Sequence, residues 1–110
     1  VRIFVTAIAV FLLASVTAAN ADTVPEIVIT LSKNTFIPAT IDLPANQKTK
    51  LIITNKDDAA AEFESYDLNR EKVVPANSTI TIFIDPLDPG TYTAFDDFHR
   101  DTTNATFVVK

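Results

Sequence analysis

The sequence predicts an antiparallel β-sandwich, and three observations carry that prediction. Short runs alternate apolar and polar residues with the period of a strand, turn signals recur about every 8–12 residues, and no long helical period is present past residue 21. About seven short strands follow from that spacing.

Glu26 to Leu31 sets Ile27, Ile29 and Leu31 on one face against Glu26, Val28 and Thr30 on the other. Ser32-Lys33-Asn34 is a turn. Thr35 to Pro38 is extended, because Ile37 precedes a proline and is biased out of the helical region. Thr40 to Leu43 is a short second strand. In the turn Pro44-Ala45-Asn46-Gln47, Asn46 is the left-handed position, since Asn tolerates positive φ better than other residues with a Cβ.

Lys48 to Asn55 is the next strand, with Leu51 and Ile53 on one side and Lys50, Ile52 and Thr54 on the other; Ile52 marks that side as partly covered. Lys56 to Ala61 is a loop. Asp67 to Lys72 is polar and fits a helical turn capped by Asp67. Val73 to Asn77 then repeats the Pro-Ala-Asn turn of Asp42 to Asn46. Ser78 to Ile84 is the plainest strand, with Ile80, Ile82 and Ile84 alternating against Thr79, Thr81 and Phe83. Asp85 to Gly90 is a proline-punctuated turn feeding a strand that ends at Phe95, and Ala105 to Val109 closes the fold. Phe36, Phe83, Phe95 and Phe107 read as core.

The first residues read as a secretory signal peptide. A short positive end with Arg2 precedes an apolar run from Ile3 to Val16, and Ala19-Asn20-Ala21 is an A-x-A cleavage pattern. The expected organisation is therefore a leader over 1–21 and one domain over 22–110. The apolar run is short against the roughly 20 residues of a membrane span, so no membrane insertion of the mature chain is expected. The absence of cysteine excludes a lipid anchor on the leader, thiolate zinc, iron–sulfur clusters and a cysteine nucleophile. The net charge of −5 argues against nucleic acid and anionic membranes as partners and is compatible with cations. With one histidine and no serine given a base other than His99, an enzyme is not expected.

The chemistry-bearing residues fall in two pieces of one pattern. In Glu62-Phe63-Glu64 two carboxylates flank a phenylalanine; in Asp97-Phe98-His99 a carboxylate and the only imidazole do the same. In extended backbone, residues i and i+2 share a face and the residue between points oppositely. Each Phe then anchors its segment while Glu62, Glu64, Asp97 and His99 face out as candidate metal ligands, with Asp96 and Asp101 nearby. An oxygen-rich set with one nitrogen suits Cu(II), Fe, Mn or Zn rather than Cu(I), which prefers sulfur. Set against this is a plain alternative, that an acidic loop is solvated and a lone histidine structural.

The segment Tyr92 to Asn104 resembles the C-terminal loop of cupredoxins, in which a copper-binding Cys, His and Met follow one another before the last strand. Laid on this chain, Asp96 falls at the Cys, His99 at the His and Asn104 near the Met, while the other His falls near Glu62. A Cys-less branch, the EfeO-type domains of bacterial periplasmic iron and copper handling, is more similar. Phe36-Ile37-Pro38-Ala39, Leu43-Pro44-Ala45, Glu62-Phe63-Glu64-Ser65 with Arg70-Glu71-Lys72, and Phe95-Asp96-Asp97-Phe98-His99 carry that likeness. That family generally has Gly where this chain has Asn46 and Asn77, a backbone need that Asn also meets.

The resemblance implies a cupredoxin-like Greek-key sandwich in the periplasm. It implies a divalent or trivalent metal, copper or iron, as cofactor, and a membrane iron permease or another iron-uptake component as partner. The ligands would be Glu62, Glu64, Asp97 and His99, with Asp96 and Glu71 as further candidates. Blue-copper electron transfer is excluded, since it needs Cys. The competing expectation is a metal-free interaction module docking on a transporter or periplasmic partner through its acidic end.

Overall fold

The computed structural model describes Arg2 and residues 23–110. Apart from Arg2, the expected leader over 1–21 lies outside these residues. The described residues hold nine strands and no helix: β1 (Glu26–Ser32), β2 (Thr35–Ile37), β3 (Thr40–Leu43), β4 (Thr49–Asn55), β5 (Ala61–Ser65), β6 (Arg70–Val74), β7 (Thr79–Ile84), β8 (Gly90–Asp96) and β9 (Asn104–Val109). They form a four-stranded sheet, β2-β1-β4-β7, and a five-stranded sheet, β3-β9-β8-β5-β6.

The sandwich is mixed rather than wholly antiparallel. β1 runs parallel to β4 and β3 runs parallel to β9. Both pairs arise because the chain crosses between sheets instead of returning by hairpins, which is how parallel neighbours must be joined.

Alternation in the sequence becomes burial in the structure. Ile29, Leu31, Leu51, Ile53, Ile82 and Ile84 from one sheet meet Ile41, Leu43, Phe63, Ala94, Phe107 and Val109 from the other. Phe63 stands edge-on between Phe36 and Phe107, with ring centroids 6.2 and 6.4 Å away. Two of the phenylalanines expected in the core lie outside it. Phe83 is on the outer face of β7, with the Lys48 ammonium 4.7 Å from its ring centroid. Phe95 is half-buried on the outer face of β8, covered by Tyr66 and Arg100.

The turns follow their chemistry. Asn46 and Asn77 both take positive φ, 59° and 52°, so the repeated Pro-Ala-Asn is one turn used twice. The helical turn expected after Asp67 is instead a tight turn into β6. Asp67 reaches across the sheet, accepting hydrogen bonds from the Thr93 N–H at 2.8 Å and the Thr93 hydroxyl at 3.0 Å rather than capping its own segment. β6 and β7 are sheet edges, and side chains span the seam between them. Arg70 Nε donates to the Phe83 carbonyl at 2.8 Å, and Lys72 Nζ donates to the Thr81 carbonyl at 3.2 Å.

Candidate metal centre

β5 sends Ala61, Phe63 and Ser65 inward, which leaves Glu62 and Glu64 on the outer face of the five-stranded sheet. The β5–β6 register sets Glu71 directly opposite Glu64, and directly opposed residues share a face. Glu62, Glu64 and Glu71 each offer an oxygen, all within 4.8 Å of one another. Glu71, expected only as a further candidate, is thus part of the group that the structure gathers.

Three carboxyl groups in that space cannot all be ionised without strong repulsion. The hydrogen bond between Glu62 and Glu71, assisted by burial and by the charges of Glu71, Asp97 and Glu64, pushes the Glu62 carboxyl up to about 7. Burial is the first cause that raises Glu64, followed by the charges of Glu71 and Asp97; a hydrogen bond from Glu62 and the Arg100 charge oppose it. Glu64 is only 9% exposed, and its hydrogen-bonding neighbour is the carboxyl of Glu62. Below neutral pH a proton on Glu62 therefore occupies a space that a cation could take.

The second piece departs from the extended geometry expected of it. β8 stops at Asp96, and residues 97–102 turn, with the His99 N–H donating to the Asp96 carbonyl at 2.9 Å and the Thr103 N–H to the His99 carbonyl at 3.1 Å. The i, i+2 rule fails there, and Phe98, expected to anchor the segment, is 51% exposed. The Asp97 N–H donates to the Glu62 carbonyl at 2.9 Å, and its carboxylate pairs with Arg100. Asp97 thus borders the glutamate group and adds its charge to it.

Asp96 is wholly buried and does another job. Its Oδ1 accepts from the Glu62 N–H at 2.9 Å and the Phe98 N–H at 3.0 Å, while Oδ2 accepts from His99 Nδ1 at 2.7 Å. The Cys-like position, the His-like position and the strand bearing Glu62 are therefore joined by hydrogen bonds. A copper ion of the cupredoxin kind does not fit between them. There is no thiolate, and the Asp96 oxygens and His99 Nδ1 are engaged. His99 keeps Nε2 as its remaining ring nitrogen. Asp101 lies exposed on the turn.

Two residues beside the group went unread in the sequence. Tyr66 continues the 62, 64, 66 alternation, and its ring lies 5.5 Å from that of Phe95. The Arg100 guanidinium sits 5.0 Å from the Phe95 ring centroid and donates to the Tyr66 hydroxyl at 3.4 Å. Asp97 first, and Tyr66 second, hold the guanidinium above its ordinary range. A cleft of about 230 Å³ opens next to them, lined by Glu64, Ser65, Tyr66, Asn69, Arg70 and Glu71.

A family described as "Cupredoxin-like domain" matches residues 4–109. The uncharacterized protein RP394 of Rickettsia prowazekii (strain Madrid E) is 43% identical over 88 residues, covering 80% of this chain and 70% of its own. Among solved structures, the metal-binding domain of the Cu(I)-exporting P-type ATPase CopA of Streptococcus pneumoniae D39 superposes with a TM-score of 0.72 at 13% identity, over 84% of this chain and 91% of that one. Auracyanin A, a blue copper protein of Chloroflexus aurantiacus, does so at 0.69 and 12%, over 80% of this chain and 100% of that one. A copper-binding protein in its apo form gives 0.66 at 16%, over 77% and 86%. At these identities the solved structures share the fold.

Proposed function

The chain belongs to the cupredoxin-like domain family, and from that premise we propose that it is a metal-binding module whose site has moved from the end of the sandwich to the outer face of a sheet. Glu62, Glu64 and Glu71 are the central donors. Asp97, on the adjoining turn, is the further donor, whereas His99 is held by the buried Asp96 and is not among the residues gathered within 4.8 Å. The observation that carries this reading is the convergence of three carboxyl oxygens within 4.8 Å around a nine-tenths buried Glu64.

Copper is supported by the fold neighbours, which include a copper-binding protein and a copper-exporting ATPase domain. The oxygen-rich set favours Cu(II), or iron, over Cu(I). An EfeO-type role follows as the finer proposal: a periplasmic protein over 22–110 that holds copper or iron for high-affinity uptake and passes it to a membrane iron permease or another uptake component. The chemistry is binding and release, with the Glu62 carboxyl proton leaving as the metal enters.

The test is a titration of the chelator-stripped protein with Cu(II), Zn(II), Mn(II) and anaerobic Fe(II). One-to-one saturation at micromolar or tighter, lost in Glu62→Gln and Glu71→Gln, is expected. A second reading, a metal-free docking face, draws on Tyr66 and Phe98, 69% and 51% exposed beside the acidic group. It takes the lead if binding is weak and indifferent to both substitutions.

A further inference from the structure

Arg100 is a cation whose charge reaches the glutamate group at Glu64. It stands on the turn after β8 with its guanidinium over Phe95, and Phe95 pairs directly with Glu64 across β5–β8. Nε holds Asp97, and the other end of the fork reaches Tyr66. The planar group thus spans an aromatic face, a phenol and a carboxylate at once, a combination that suits Arg and not Lys. The Arg100 side chain is itself exposed, so leaving this position costs it little burial.

We propose that Arg100 is the resident counter-cation of the acidic face, which an incoming metal ion displaces from Asp97, so that Arg100 sets the affinity of the site. This rests on the metal reading given above. Asp97 Oδ1 serves the guanidinium and a metal ion in turn, not together. A guanidinium left in place also repels a divalent ion at the glutamates, since like charges separated by a few ångströms interact appreciably even in a high effective dielectric. Removing the positive charge frees Asp97 and removes that repulsion. The loss of its support for ionised Glu64 matters little once the solution is alkaline enough to ionise the group.

The experiment is a Cu(II) titration at pH 8, with glycine as competing chelator, of the wild type, Arg100→Gln, Arg100→Lys and Glu62→Gln. Arg100→Gln is expected to bind about tenfold tighter than wild type, while Arg100→Lys, which keeps the charge, stays within about threefold of it. Glu62→Gln loses binding. If Arg100→Gln binds no tighter than wild type while Glu62→Gln still abolishes binding, the metal reading stands and the role of Arg100 is overturned. The role is also overturned if Arg100→Lys tightens as much as Arg100→Gln, since shape and not charge would then set affinity. If neither wild type nor Arg100→Gln binds, both readings fall.

Discussion

Nδ1 of His99 lies 2.7 Å from Oδ2 of Asp96, a carboxylate with no exposed surface. The same carboxylate takes the N–H groups of Glu62 and Phe98, so one side chain ties β5, the end of β8 and the following turn. Asp96→Ala leaves those donors buried and unmatched and is expected to cost about 3 kcal/mol. His99→Ala, which leaves the two backbone bonds intact, should cost about 1.5 kcal/mol. Urea unfolding without metal reads both; equal, negligible losses would mean that the pair is not structural.

The raised Glu62 carboxyl makes a pH prediction with a definite sign. Between the ordinary 4.5 and the folded value of about 7, the native state holds a proton that the unfolded chain releases. The native state binds more protons across that window, so this contribution is full below 4.5 and is lost as pH rises towards 7. The difference in urea midpoint between wild type and Glu62→Gln should therefore shift against the wild type from pH 4.5 to pH 7.5. A constant difference would remove the Glu62 proton from the account.

Protons and metal compete for the same oxygens. Below pH 7 the metal affinity of the wild type is expected to fall by about tenfold per pH unit, as for release of one proton on binding. Isothermal calorimetry in two buffers of different ionisation enthalpy counts that proton directly. An affinity flat from pH 5.5 to 8 would place the metal elsewhere.

Asn46, at φ 59°, supplies a left-handed turn without glycine. Asn46→Gly should be close to neutral, whereas Asn46→Ala should cost about 1 kcal/mol, because alanine lacks both the freedom of glycine and the local hydrogen bonding of asparagine. Thermal unfolding of the two variants checks the order.

Phe63 and Phe83 differ in worth although both sit in alternating strands. Phe63→Ala should cost about 4 kcal/mol, since it empties the centre of the aromatic stack between the sheets. Phe83→Ala removes a side chain that is 46% exposed and should cost about 1 kcal/mol, part of it the contact with Lys48.

The alternating runs made most strands legible, and the Asn turns were legible from φ tolerance alone. The two misplaced phenylalanines were misread by residue type rather than by period. Alternation itself put Phe83 with Thr79 and Thr81, and Phe95 with Thr91 and Thr93, on the polar faces of their strands, so reading both as core followed residue type against the pattern. The site was half legible. Glu62 and Glu64 share a strand, so their common face follows from spacing. Glu71 enters through the β5–β6 register, and that register depends on reading Asp67 to Asn69 as a hairpin turn, whereas its polar run also matched a helix start. Asp97 and His99 were misjudged in geometry because backbone hydrogen bonds curl the chain after Asp96, and i, i+2 alternation ends where the strand does.

β9 lies between β3 and β8, in the interior of its sheet. A chain delivered from its N-terminal end, by synthesis or by threading through a narrow passage, therefore has β3 waiting without its parallel partner until Asn104–Val109 arrives. The joining of β3 to β8 and the rest of that sheet therefore depends on β9, which also flanks the Asp96 hydrogen bonds through Thr103. The strand that completes the five-stranded sheet is thus also the last described strand in chain order.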